Sequence, residues 1–212
     1  MQRARTRLPT YDAGRKITVT SNNPASYFST PRLRARCFLP TDLDAFVAYR
    51  ADPDVARFQS WSDYTVERGR ALIESMADIV PGAPGQWYQF ALENADGALI
   101  GDVALQVNDT EPGVAEFGFT IAPEHQGNGY GAEAVRGLLD YAFGALRLRR
   151  MIAITDALNA SAAALLGRVG MRQEAYFREN IFFTGKWGSE FVFAILNHEW
   201  AALNAAPPTV AK

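Results

Sequence analysis

Apolar and polar residues change their spacing several times along this chain, and each change marks an element. From Pro31 to Phe38, Leu33, Ala35 and Cys37 alternate with Arg32, Arg34 and Arg36, the period of a half-exposed strand. Leu43, Phe46 and Val47 then share one side of a helix that Thr41 can cap and Asp52-Pro53 breaks. Leu72, Ile73 and Met76 gather on a second helix, about Val66 to Ile79. After the loop Pro81-Gly82-Ala83-Pro84-Gly85 come three strands: Trp87 to Leu92, Leu99 to Val107 and Val114 to Ile121. Asn94-Ala95-Asp96-Gly97 joins the first two as a hairpin turn. Val135, Leu138, Leu139, Ala142, Phe143 and Leu146 recur at helical spacing on a helix that begins around Ala132. Met151 to Thr155 is a short apolar strand. Ala162, Leu165, Leu166 and Val169 give another helix, with Gly170 where a C-terminal cap belongs. Strands near Met171 to Arg178 and Glu190 to Leu196 follow, with a turn at Thr184-Gly185-Lys186.

The order β-α-α-β-β-β-α-β-α-β-β predicts one α/β domain of the mixed α+β kind. Its central sheet is mostly antiparallel, with one parallel crossover late in the chain. Residues 1–29 carry Arg3, Arg5, Arg7, Arg15 and Lys16 against Asp12 and read as a partly ordered basic arm. Residues 30–201 form the domain, and 202–212 a C-terminal tail.

Composition adds boundaries. The 212 residues are 48% hydrophobic and 21% charged, enough apolar material for a substantial core. A formal charge of −2 argues against a broad nucleic-acid surface. The single cysteine, Cys37, forbids an internal disulfide and reads as a buried structural thiol. His125 and His198 are far apart, so no metal site is expected. There is no apolar run of membrane-spanning length, and the basic arm is followed by no apolar core of a secretory signal. The expected location is cytoplasmic.

The segment with chemical content is Gln126-Gly127-Asn128-Gly129-Tyr130-Gly131-Ala132. Alternating glycines permit positive φ and a close ligand approach, and the following helix presents the positive end of its dipole. Such a loop seats a phosphate or pyrophosphate. Ala132 stands where a Walker A loop needs lysine, which excludes that motif. Gly127, Gly129 and Ala132 do fit a dinucleotide fingerprint, with Asp156 ending the next strand. Against that reading, five residues, Ala122 to Gln126, separate the preceding strand from the first glycine, and the strands before it look antiparallel.

The loop resembles motif A of the GCN5-related N-acetyltransferases (GNAT), Gln/Arg-x-x-Gly-x-Gly/Ala, with Gln126, Gly129 and Gly131 at the matching positions. Thr30-Pro31-Arg32-Leu33-Arg34, Asp52-Pro53-Asp54-Val55, Ala115-Glu116-Phe117-Gly118-Phe119, Arg178-Glu179-Asn180 and the closing Trp187 to Trp200 are similar to the RimJ/RimL branch of that family. The resemblance implies direct transfer of an acetyl group from acetyl-CoA to a primary amine, and its RimJ/RimL branch points to a peptide or protein N-terminus. Acetylation of an aminoglycoside or other small amine is an alternative, which an acidic groove would favour. A noncatalytic acyl-CoA sensor is another. A homodimer is an open option on the same ground.

The resemblance also distributes roles. Phe119, Thr120 and Ile121 would lie along the pantetheine arm and the loop residues 126–132 on the pyrophosphate, with Asn159 also at the cofactor. The amine needs a base. Glu116 is the first candidate, since alternation places it with Gly118 and Thr120, opposite Phe117, Phe119 and Ile121. Glu179 is the second and Asp102 the third. Many relatives read Asn-x-x-Ser at the start of the helix after Met151 to Thr155, with that serine proposed as the proton donor to the thiolate, but the matching position here is Ala162, with Ser161 one place early. One place on a helix is a rotation of about 100°. The acid is therefore open between water, Ser161 and a tyrosine such as Tyr130.

Overall fold

The computed structural model describes residues 26–205, apart from Ser60, Ser62 and Thr184. Most of the arm and of the tail lie outside those residues. Eight strands form one sheet: β1 (Ser26–Ser29), β2 (Leu33–Arg36), β3 (Trp87–Asn94), β4 (Leu99–Val107), β5 (Val114–Ile121), β6 (Arg150–Asp156), β7 (Arg172–Phe183) and β8 (Lys186–Leu196). Their spatial order is β1-β2-β3-β4-β5-β6-β8-β7. Every neighbouring pair is antiparallel except β5 with β6. The mixed, mostly antiparallel sheet expected from the sequence is the one observed.

The helices are α1 (Leu43–Ala51), α2 (Pro53–Ala56), α3 (Val66–Ser75), α4 (Tyr130–Gly144), α5 (Ala160–Val169) and α6 (Asn197–Asn204). Side chains at registered positions of neighbouring strands share a face. On what we call the front face, Tyr49 and Arg50 of α1 reach Asp102 of β4. On the back face, α4 and α5 meet Phe119 and Ile121 of β5, and a Cβ at Gly131 would sit 2.8 Å from Leu165. The main core fills the back, where Phe117, Val135, Leu138, Leu139, Met151 and Leu166 are almost wholly buried.

Several local expectations are corrected. Residues 26–29, read as the end of the arm, form an edge strand whose Tyr27 and Phe28 rings pack edge-on to Phe90. Thr41 does not cap α1. It lies in a 3₁₀ turn, Pro40–Asp42, and Asp42 precedes the helix with its carboxylate accepting from the Leu39 N–H at 2.7 Å. Arg36 is not on an exposed face: it is 2% exposed, with Asp42 at 2.6 Å and Glu93 at 2.5 Å. Cys37 is half-buried rather than buried. The helix after the glycine loop starts at Tyr130, and α6 extends the domain beyond residue 201.

Gly101 sets the geometry of β4 against β5. A Cβ there would lie 2.2 Å from the Thr120 carbonyl oxygen, so a side chain cannot be accommodated without moving the strand that carries Glu116.

Candidate active site

β5 and β6 pair only at Val114 with Arg150, Ala115 with Met151 and Glu116 with Ile152. Beyond that point Phe117–Ile121 hold only to β4, and Ala153–Asp156 only to β8. The strands part, and alternate backbone N–H and C=O groups of each face the gap between them. A cavity of about 730 Å³ runs through this gap. Phe117, Phe119, Ala153, Thr155, Ala162 and Leu166 line it from the back. Trp87, Gln89, Asp102, Glu116, Gly118, Thr120, Ile154, Asp156 and Glu190 line it from the front. The sheet therefore has a slot, with a chamber on each side. Gly118 helps keep it open, because a Cβ there would meet nothing within 4 Å.

The glycine loop does not line this cavity; it precedes α4 on the back face, where Gly131 lies beside Phe119 and Leu165, and its Gly127 and Gly129 adopt positive φ of 77° and 81°. Gly129 caps α4 in the left-handed conformation without a side-chain bond. The Glu133 N–H bonds Gly129 O at 3.1 Å, so the amides of Tyr130, Gly131 and Ala132 lie in the first turn with no carbonyl one turn behind them. That is the environment an anion needs. The loop is braced by its own side chains. Gln126 Nε2 donates to Ile121 O at 2.9 Å, and Asn128 Nδ2 to Gln126 O at 3.1 Å. Arg32 adds a brace the sequence did not disclose. Its guanidinium donates to Asn128 O at 3.1 Å and to Glu133 at 2.6 Å, and lies 4.5 Å from the Tyr130 ring centroid. Burial works against the Glu133 charge, but bonds from Thr30 and Arg32 outweigh it and hold the carboxyl below the ordinary carboxylate range.

On the front, Asp102 is 1% exposed and accepts from Tyr49 Oη at 2.5 Å, Gln89 Nε2 at 2.8 Å and Arg50 Nη2 at 3.0 Å. Arg50 is stacked in turn over Trp61, 4.1 Å from its ring centroid, and Trp61 Nε1 donates to Arg50 O. Asp102 is thus committed to side chains, not to the neighbouring backbone. Glu116 is half-buried beside the slot, and burial first, then the charge of Glu190, raises its pKa.

With this geometry in place, the comparison with known proteins is direct. The family model for the acetyltransferase (GNAT) domain matches residues 32–172. The chain belongs to the GNAT acetyltransferase family. It is an acetyl-CoA-dependent N-acetyltransferase. It is 28% identical over 173 residues to the Bacillus licheniformis N-acetyltransferase p20, itself uncharacterized, covering 81% of this chain and 97% of that protein. It is 33% identical over 99 residues to a spermidine N(1)-acetyltransferase of Vibrio cholerae, covering 47% of this chain and 57% of that one. A GNAT-family acetyltransferase from Bacillus anthracis superposes with a TM-score of 0.72 at 27% identity, over 81% of this chain and 98% of that one.

Not all residues singled out in the acetyltransferase sequence come together. Phe119 and Thr120 line the slot with Glu116, and Ile121 follows at the end of the same strand. Glu179 does not line the cavity. It is exposed, with φ of 48°, in the bulge between Phe177 and Ile181, and its N–H donates to Ser189 Oγ at 2.9 Å. Ser161 is exposed on α5 and also absent from the lining, where Ala162 stands instead. Tyr130 lies at the loop under Arg32. Asn159, not Ser161, caps α5, accepting from the Ala162 N–H at 3.1 Å. Asn159→Ala should therefore lower unfolding stability by about 1 kcal/mol, and Ser161→Ala by less than about 0.5 kcal/mol, in urea titrations.

Among the described residues no group of three or more His, Cys, Asp or Glu could hold a metal ion, and no helix is long and apolar enough to cross a membrane.

Proposed function

We propose that this acetyltransferase passes the acetyl group of acetyl-CoA directly to the primary amine of a small, positively charged acceptor while both are bound. The observation that carries the acceptor class is the front chamber. Glu116, Asp156 and Glu190 line it together with Phe58, Trp61, Trp87 and Phe183. Of its two arginines, Arg50 is committed to Asp102, and Arg57 lies 3.6 Å from Asp54. Among the described residues none of the three carboxylates has an ion-pair partner, and carboxylates set among aromatic rings favour an ammonium ion over a neutral or anionic group. The likeness to a spermidine acetyltransferase supports the same class. A protein N-terminus, suggested by the RimJ/RimL likeness, offers the same nucleophile and is the competing acceptor.

In this reading, the amides of residues 127–132 and the N-terminus of α4 seat the pyrophosphate, while Gln126 and Asn128 shape the loop. The pantetheine arm crosses the back chamber into the slot, between Phe119–Ile121 and Ala162. Glu116 takes a proton from the acceptor ammonium, and the freed nitrogen attacks the thioester carbonyl. Slot-facing N–H groups of β5 stabilise the oxygen as it becomes negative. The C–S bond then breaks, and the thiolate recovers the second amine proton through water, since Ala162 offers no hydroxyl.

A thiol-release assay tests this with acetyl-CoA and a panel of spermidine, an aminoglycoside and neutral N-terminal peptides. Spermidine should be acetylated with a lower KM than the peptides. A preference for the peptides would shift the acceptor to a protein N-terminus. Acetyl-CoA binding without thiol release from any amine would make the protein a sensor.

A further inference from the structure

Glu190 and Asp156 stand directly opposite each other on β8 and β6, on the front face. Like charges at opposed positions of an antiparallel pair destabilise a sheet. Among the described residues, no lysine, arginine or histidine forms an ion pair with either. Asp156 spends one oxygen on the Leu158 N–H. Glu190 is instead clamped by Asn180, whose amide Nδ2 donates to Oε2 from the bulge of β7. A repulsive pair held open to a cavity is the arrangement expected where a cation arrives from outside the fold.

The charged groups that line the cavity with Glu116 are Asp102 from β4, Arg50 from α1, Arg57 after α2, Asp156 from β6 and Glu190 from β8. Asp102 and Arg50 are bound to each other, and Tyr49 behind them donates to Asp102. Glu190 is half-buried in the same chamber as Glu116, and its charge reinforces what burial does to the Glu116 carboxyl.

We propose that Glu190, clamped by Asn180, is the positioning carboxylate of the acceptor chamber, holding the incoming ammonium at the slot and keeping Glu116 fit to take its proton. This rests on the amine-acetylation reading for the ammonium, but not for the link between the two carboxylates. The asymmetry of the clamp assigns the parts: Asn180 holds Glu190 to bind charge, whereas among the described residues no hydrogen bond fixes the Glu116 carboxylate, which is left to exchange a proton.

The test is a carbon-detected NMR titration of the Glu116 carboxyl in the full chain, for wild type, Glu190→Gln and Glu190→Asp. The midpoint should fall in Glu190→Gln and stay raised in Glu190→Asp, which keeps the charge. With spermidine as the probe acceptor, Glu190→Gln should raise its KM about tenfold, the effect of losing one charge contact, while the KM for acetyl-CoA holds. An unmoved Glu116 midpoint in Glu190→Gln, or equal shifts in both variants, would overturn the proposal. So would an unchanged spermidine KM. If spermidine is not turned over at all, the acceptor reading fails, and the titration still decides whether Glu190 governs Glu116.

Discussion

Glu116→Gln should lower kcat by about 10²–10⁴-fold, the range of a general base, and at the same time make the protein more stable at neutral pH. Both effects have one cause. Burial, reinforced by Glu190, raises the Glu116 pKa, so the folded chain holds that proton more tightly than the unfolded chain does. Where the native state binds more protons, stability falls as pH rises. The contribution is fully present below the ordinary carboxylate value and is lost as pH passes through the raised one. Glutamine carries no such loss. Thermal unfolding across that window should show the variant gaining on wild type as pH rises, then holding a constant lead. Steady-state kinetics on an accepted amine should show the rate loss in kcat, and the acid limb of the wild-type profile above the usual carboxylate range. A variant with a full pH–rate profile like wild type would remove Glu116 from the base role.

Asp102→Ala should destabilise the fold by about 3–5 kcal/mol, the cost of stranding a buried charge. Arg50 is 4% exposed, and its ion-pair partner is Asp102 at 3.0 Å. The substitution also removes the acceptor for Tyr49 and Gln89. Replacing both charges, as Arg50→Met with Asp102→Leu, should recover most of the loss, since a buried pair yields little net stability over well-packed apolar side chains. Urea unfolding of the two single variants and the double variant measures the difference. If Asp102→Ala costs under about 1 kcal/mol, the network is not what fixes α1 against the sheet.

Much of this fold was legible because its signals are local. The strand period, the glycine loop and the Gly170 cap lie within short windows, and each element they mark exists. What was missed depends on distant partners. The alternation around Arg36 says outward, but Asp42 and Glu93 draw it into the interior. Ser26–Ser29 is too short and polar to announce a strand, and it exists because β2 offers an edge. α6 did have a signal: Glu199 sits three residues after Leu196 and accepts from its N–H, as a first-turn acid does. The site divides the same way. The loop is one segment, whereas the front chamber is assembled from elements between residues 50 and 190. Glu190 reads from sequence only as one polar position on a strand. Its meaning comes from Asp156 across the ladder and Glu116 in the same chamber. Glu179 drew attention through its motif, yet the bulge turns it outward.

The parting of β5 from β6 also bears on traffic. A sheet with an aperture has two doors, so the thioester donor and the amine need not queue for one entrance. If acetyl-CoA enters from the back and the amine from the front, as proposed, neither has to leave before the other arrives, and initial-rate plots against the two substrates should intersect rather than run parallel. An inhibitor that joins coenzyme A to the amine would be threaded like a bolt through a plate, anchored on both sides at once. Its escape would require one end to be drawn back through the opening, so slow release should be its signature.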